Sequence, residues 1–355
     1  MILLHCGVSA PPCQAISPNR WVPLYEMSSK IDVNVNFKRY FHGPAMIVTP
    51  EGHWLLAHQD SATHSGHDGY ITQMRSTDQG KTWASDGIVY DGRTQRRFGR
   101  NPLYGVTDAG VIVLLVQTFT PDRKRLPGDP SRAWNTAGTA WLTSSDDGKT
   151  YTPHGRVSKV PRARLTHAYG RRMLNLNGQL LMVSRQSSPK LAECGIWLYA
   201  LDDPAKGWQR GPCIFTFKKK NEEIVYPALV YRPDVGLSTY AKSNDGMLRR
   251  ISRDMGKTWG PVAKVNGLIV RNNAEMGYAG DVLFCHARGW DICSVVLYFS
   301  PNHGVHWGHP IVLERYGPRS SDGAYSASVP YGKDGMQRRS RFRISASVSV
   351  VILYR

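Results

Sequence analysis

The chain has no hydrophobic run of the roughly 18 residues that a membrane-spanning helix requires, so no such span is expected. Its opening stretch, Met1 to Pro12, lacks the basic flank of a secretory signal, which leaves the compartment unassigned. Cysteine is sparse: Cys6, Cys13, Cys194, Cys213, Cys285 and Cys293 show no metal-ligand spacing and read as packed thiols, with Cys285 and Cys293 a candidate pair across a hairpin. No zinc or EF-hand spacing occurs, so neither a metal nor a cofactor is expected. Almost no segment has a 3.6-residue apolar period, which predicts little helix. No Pro/Ser/Gly linker or low-complexity stretch divides the 355 residues, which argues for one large domain. Acidic residues are in deficit, and the formal net charge is +18. Such a charge suits nucleic acid, an anionic membrane or an acidic substrate. The basic residues are scattered, however, with short clusters at Arg96-Arg97, Lys218-Lys219-Lys220 and Arg338-Arg339. Without a basic tract, a recognition helix or an aromatic RNA-binding motif, no nucleic-acid partner is expected.

What the chain does contain is a pattern that returns four times, at Ser76 to Trp83, Ser144 to Tyr151, Ser252 to Trp259 and Ser300 to Trp307. Its form is Ser-x-Asp-x-Gly-x-Thr-Trp, with Asn302 and His306 replacing Asp and Thr in the last copy. Asp and Ser side chains bond backbone N–H groups inside a tight turn, Gly supplies a positive φ, and the aromatic residue buries beside the next strand. The pattern is therefore a folding staple, and Asp78, Asp146 and Asp254 are not catalytic candidates. Between the copies an apolar strand meets a Gly-containing turn and a second apolar strand follows, as in Ala45 to Val48, Gly52, then Trp54 to Ala57. Strand, turn, strand, then a box between two further strands makes a four-stranded blade.

Box spacing counts the blades. Ser76 to Ser144 is 68 residues and Ser252 to Ser300 is 48, but Ser144 to Ser252 is 108, room for two blades. A degenerate copy near Leu201 to Trp208 fills that gap, and Asp322 to Arg355, completed by an N-terminal strand, supplies a further blade. The expectation is an all-β, six-bladed β-propeller with four-stranded antiparallel blades, seven being the alternative count. Residues 1–35 form an extension that closes the last blade, and residues 36–355 form the propeller. The 10 Trp and 17 Tyr fit both interblade packing and stacking on sugars.

The box resembles the Asp-box, or BNR repeat, of the sialidase (neuraminidase) superfamily, and the resemblance, closest to bacterial sialidase-like proteins, runs from about Phe41 to Gly335. It implies an exo-acting glycoside hydrolase removing a terminal acidic sugar. Three positions carry the implied chemistry. Asp68, in the polar loop Ser65 to Tyr70, matches the general acid and base, a role that needs a carboxyl near the leaving oxygen. Tyr325, in Asp322 to Val329, matches the nucleophile, a neutral phenol that avoids repulsion by the sugar's own carboxylate. Glu222, in Asn221 to Val225, matches the base that such a phenol needs, with adjacent Glu223 the competing choice.

The chain departs from the family where a carboxylate would be gripped by three arginines. The matching positions hold His42, in Phe41-His42-Gly43-Pro44, Lys242, in Tyr240 to Ser243, and Arg288, in His286 to Trp290. Such a site binds an acidic or strongly polar sugar without strict sialic acid specificity. His67, Tyr169 and Arg171 are further expected contacts, and Arg100-Asn101-Pro102 is a further candidate lining segment. The expected partner is thus a glycan or glycoconjugate, with a noncatalytic glycan- or protein-binding propeller, or a hydrolase or lyase for another glycan, as the alternatives.

Overall fold

The computed structural model describes residues 39–62, 68–121, 134–159, 164–167, 173–219, 223–270, 272–289, 294–315 and 326–329, and the statements below concern these residues. Their strands form five antiparallel meanders. The first sheet is β1 (Tyr40–Val48), β2 (Trp54–Ser61), β3 (Tyr70–Ser76) and β4 (Ala84–Tyr90), and the second is β5 (Phe98–Val106), β6 (Ile112–Pro121), β7 (Trp134–Ser144) and β8 (Thr152–Arg156). The third comprises β9 (Arg164–His167), β10 (Leu174–Leu176), β11 (Gln179–Ser187), β12 (Gly195–Leu201) and β13 (Gln209–Thr216), where β9 and β10 pair with successive halves of β11. The fourth is β14 (Val225–Arg232), β15 (Gly236–Ser243), β16 (Gly246–Ser252) and β17 (Ala263–Val265), and the fifth is β18 (Asn272–Ala279), β19 (Val282–Arg288), β20 (Ser294–Ser300) and β21 (Ile311–Arg315). Helix among these residues is limited to two three-residue 3-10 turns, Arg93–Gln95 and Leu191–Glu193. None is long and apolar enough to cross a membrane.

The second strand of each sheet is buried on both faces, which is why it reads as an apolar run and not as an alternation. In β2 and β6, Leu55 and Ala57 pack against Ile112, Leu114 and Val116, forming the seam between sheets one and two. Val113 and Leu115 then meet Leu180 and Met182, Leu181 and Val183 meet Leu237 and Ala241, and Tyr240 meets Leu283, Cys285 and Ala287. Each aliphatic side chain so buried contributes roughly 1.5–3 kcal/mol before entropy is counted. Cys285 is a buried free thiol opposite Tyr298 of β20, and its expected partner, Cys293, lies outside the described residues.

Segment 326–329 lies between the fifth sheet and the first. Its Ala327 and Val329 pack on Met46, Trp54, Leu56 and Met74 of the first sheet. On the other side, Ser326 Oγ is 2.6 Å from His286 Nδ1, and Ser328 donates its N–H and hydroxyl to Glu275 Oε1 at 3.2 and 2.7 Å.

The expected six blades are corrected to five: the described residues form a five-bladed propeller. Four clear boxes and the degenerate turn at Leu201 to Trp208 each join the third and fourth strand of one sheet, so the boxes count the blades one for one. The sixth was inferred from the tail, which carries no box, and its described part, 326–329, holds no strand.

The boxes are the expected staples. In the first, Gly80 N–H donates to Ser76 Oγ at 2.8 Å, while the N–H groups of Lys81 and Thr82 and the Thr82 hydroxyl donate to the Asp78 carboxylate at 3.0, 2.8 and 2.7 Å. The other copies repeat this, with Asn302 Oδ1 accepting from His306 N–H at 2.8 Å. The box glycines have φ between 80° and 90°, a region that L side chains enter only under strain.

Candidate active site

All five second strands end on the same side of the ring, opposite the boxes, and one register position recurs there. Counting five residues on from the residue that pairs with the box serine, or with its equivalent Leu201, gives Gln59, Gln117, Arg185, Lys242 and Arg288. Their partners on the inner strands are His42, Arg100, Thr166, Val225 and Asn272. In four of the five sheets the ladder breaks into a bulge at once beyond this rung. Gly43, Asn101 and Tyr226 take φ of 61°, 45° and 52° in three of these bulges, and each precedes a proline. A proline has no N–H to lose from the ladder, so a bulge is where an inner strand tolerates one. Tyr226 is the outlier, because an aromatic residue in the left-handed region is uncommon and such strain clusters at functional sites.

Alternation along the strand aims this rung into the seams. Gln59 shares a face with Leu55 and Ala57, which pack on the second sheet, and accepts Arg100 Nε–H from that sheet at 2.9 Å. Gln59 in turn donates to Ser61 Oγ at 2.9 Å, and Asn101 donates to Gln117 Oε1 at 2.7 Å. Arg185 shares a face with Leu181 and Val183, toward the fourth sheet; its guanidinium lies 5.1 Å from the centroid of Phe217 and donates to Ser187 Oγ at 2.7 Å. Lys242 shares the face of Tyr240, toward the fifth sheet, and Arg288 that of His286, toward segment 326–329. Amides thus cap the first two seams and cations the next three.

Asp60 and Asp68 lie together on the first sheet. Arg39 holds two carboxylates, with Nε 2.6 Å from Asp60 Oδ1 and Nη1 2.7 Å from Asp68 Oδ2. Asp68 also accepts the Ala62 N–H at 3.0 Å, and Tyr70 donates its hydroxyl to Asp60 at 3.1 Å. Partial burial acts to raise the Asp68 pKa, but the Ala62 N–H and the Arg39 guanidinium outweigh it and hold the carboxyl below its ordinary value. Burial, then the negative charge of Asp60, raises the Tyr70 phenol. The Asp68 loop is anchored to the second sheet by Gly99 N–H donating to Gly69 O at 2.9 Å.

Of the residues expected from sequence, Asp68, His42, Lys242 and Arg288 share this end of the ring. His42 and Arg288 are buried, Lys242 is half-buried, and Glu223 is exposed. Glu222, Tyr325, His67, Tyr169 and Arg171 lie outside the described residues. The sequence reading missed Gln59, Gln117 and Arg185, although counting from the box serines marks them. It missed the Arg39 to Asp60 pair as well, for which no local pattern exists. The buried Glu275 and His286 were also missed, since only the fold brings them to Ser326 and Ser328.

Carboxyls and cations from several sheets, Asp68 with Arg39, Arg100, Lys242 and Arg288 among them, share one end of the ring, an arrangement that suits a polar ligand. Residues 52–335 match the BNR repeat-like domain family. The chain is 26% identical over 287 residues to a sialidase from Micromonospora viridifaciens, an alignment covering 71% of this chain and 41% of the relative, so the chain spans about two fifths of that protein's length. Among solved structures, a protein of unknown function from Dyadobacter fermentans superposes with a TM-score of 0.70 at 17% identity, over 87% of this chain and 92% of that one. A Hadza microbial sialidase superposes with a TM-score of 0.63 at 17% identity, over 82% of this chain and 61% of its own. With these likenesses and its five stapled sheets, the chain belongs to the BNR repeat-like domain family of the sialidase superfamily.

Proposed function

We propose that the protein is an exo-acting glycoside hydrolase that removes a terminal acidic sugar. One observation supports it above the rest: the loop of Asp68 and the rung of His42, Lys242 and Arg288 open on the same end of one ring. In this reading the phenol oxygen of Tyr325 bonds to the anomeric carbon as the glycosidic C–O bond breaks. The phenol proton passes to Glu222, and the Asp68 proton passes to the leaving oxygen. Water then attacks the same carbon, gives its proton to Asp68 and releases the sugar with retention, while Glu222 returns the proton to the phenol oxygen. Asp68 must be protonated at the start. A bound glycan that shuts out water and draws Arg39 away raises its pKa toward that state.

A second reading, a noncatalytic glycan-binding propeller, is favoured by the same Arg39 contact, which keeps Asp68 ionised. Turnover of fluorogenic sialosides, uronides and neutral glycosides separates the two. Hydrolysis with retention, abolished in Tyr325→Phe, is the expected result. Absence of turnover on every glycoside, or full activity of Tyr325→Phe, overturns the mechanism.

A further inference from the structure

We propose that Asp60 is a positioning residue which, acting through Arg39, sets the proton affinity of Asp68 and so fits that carboxyl to be an acid at one step and a base at the next. The inference deepens the hydrolase reading, and it rests on that reading for giving Asp68 a proton to transfer.

Three neighbouring stretches of the first sheet bring the groups together. Asp60 is the penultimate residue of β2 and pairs across the ladder with Tyr70, the first residue of β3, while Arg39 immediately precedes β1. The Tyr70 hydroxyl donates to Asp60 Oδ2 at 3.1 Å, and Arg39 Nε donates to Asp60 Oδ1 at 2.6 Å. Arg39 Nη1 then reaches Asp68 Oδ2 at 2.7 Å. One guanidinium therefore stands between two carboxylates. They differ in exposure: the Asp60 side chain is 11% exposed and that of Asp68 36%, with Arg39 between them at 24%. Asp60 is the inner, lasting counter-ion, and Asp68 is the outer group, open to solvent.

That order matters for the proposed reaction, because Asp68 gives up a proton and regains one in each cycle. If Arg39 had Asp68 alone, each proton taken up would leave a part-buried cation without a counter-charge, a costly state that favours an ionised Asp68. Asp60 keeps the guanidinium paired in both forms. Two carboxylates and one guanidinium carry a net negative charge, which a proton on Asp68 cancels, so the like charge of Asp60 favours uptake. Among the described residues, the other charged or titratable groups that face this cluster are Tyr70, Arg93 and Asp91. Arg93 Nη2 is 2.6 Å from Asp91 Oδ2, and its guanidinium lies 4.5 Å from the centroid of Tyr70. Arg93 thus brings its own counter-ion, and it senses Asp68 less than it senses Asp91. From the second sheet, Gly99 N–H on Gly69 O is a neutral contact, and Arg100 is turned to Gln59. Asp60 is therefore the carboxylate that shares Arg39 with Asp68.

The test is a carbon-detected NMR titration of the full chain labelled in its Asp carboxyls, the Asp68 resonance being assigned by its loss in Asp68→Asn. Turnover of the fluorogenic glycosides is followed separately. Asp60→Asn keeps an oxygen for Arg39 Nε but removes the charge, so Arg39 acts on Asp68 undivided, and the Asp68 pKa is expected to fall by about half a pH unit or more. Where a glycoside is turned over, the alkaline limb of kcat/KM moves to lower pH with it. Asp60→Glu, which restores the charge, is expected to return most of the shift. A purely structural role predicts the reverse, an Arg39 set loose and an Asp68 pKa that rises. If Asp60→Asn melts early, Tyr70→Phe carries the test. That variant strips Asp60 of one donor and leaves its charge less compensated, so Asp68 is expected to titrate roughly a few tenths of a unit higher. A rise or no change in Asp60→Asn, or a fall or no change in Tyr70→Phe, overturns the role of Asp60 and leaves untouched the hydrolase reading, which turnover decides. The expected shifts without turnover of any glycoside sustain the coupling and sink the hydrolase.

Discussion

Arg39 reaches Asp68 at 2.7 Å with one nitrogen and Asp60 at 2.6 Å with another, and with the Ala62 N–H it holds the carboxyl proposed as general acid below its ordinary pKa. In the proposed hydrolysis the pair couples the pH dependence of turnover to Arg39.

Replacing Arg39 with Gln removes the positive charge and one hydrogen bond to Asp68, and the Asp68 pKa rises, because desolvation is then opposed chiefly by the Ala62 N–H. A general acid must be protonated, so the alkaline limb of kcat/KM should move to higher pH in Arg39→Gln. A profile measured on any turned-over glycoside checks this. An unmoved limb would show that Asp68 is not the acid.

The boxes should govern acid stability. The Thr82 backbone N–H, its hydroxyl and Ser76 depress Asp78 from 3.8 to about 2, and the Thr258 hydroxyl and N–H with Ser252 depress Asp254 equally. A carboxyl with a depressed folded-state pKa contributes stability that is full above 3.8 and is lost as pH falls toward 2. Asp254→Asn copies the uncharged turn at Asn302 and should reduce proton uptake on unfolding near pH 3 by up to about one proton. Melting temperature followed between pH 5 and pH 2 should therefore slope less steeply in the variant.

Gly148 should tolerate no side chain. Its φ is 80°, and an added Cβ would stand 2.6 Å from Leu55 Cδ1 in the seam between the first two sheets. Gly148→Ala is expected to cost about 2–4 kcal/mol, whereas Gly87→Ala, at φ 89° with open space around it, should cost only about 1 kcal/mol of backbone strain. Denaturant unfolding of the two variants separates steric from conformational cost, and equal losses would refute the packing assignment.

Glu275 should act as the clasp of the ring. It accepts two bonds from Ser328 while 1% exposed, and Glu275→Ala leaves both donors buried without that acceptor. The expected loss is about 2–3 kcal/mol. Hydrogen exchange should rise first in Ser326 to Val329 and in the strands β1 and β18 that flank them. Uniform protection with only a global loss would mean that the segment is not separately held.

The repeat Ser-x-Asp-x-Gly-x-Thr-Trp by itself determined that this chain builds stapled β-hairpins, because every bond of the turn at Ser76 to Trp83 joins residues within four positions of each other. The apolar run from Trp54 likewise announced a strand, and the structure shows it buried on both faces. The number of blades went astray where the box was missing, since nothing local in Asp322 to Arg355 says whether a segment completes a sheet or wedges between two. Only the tertiary structure decided that Arg39 holds Asp68, that Arg185 stands level with Lys242 and Arg288, and that Ser326 and Ser328 fasten to His286 and Glu275. The reason is separation: a turn is closed by the residues that form it, while a mouth is assembled from strand ends that ring closure brings together from positions up to hundreds of residues apart.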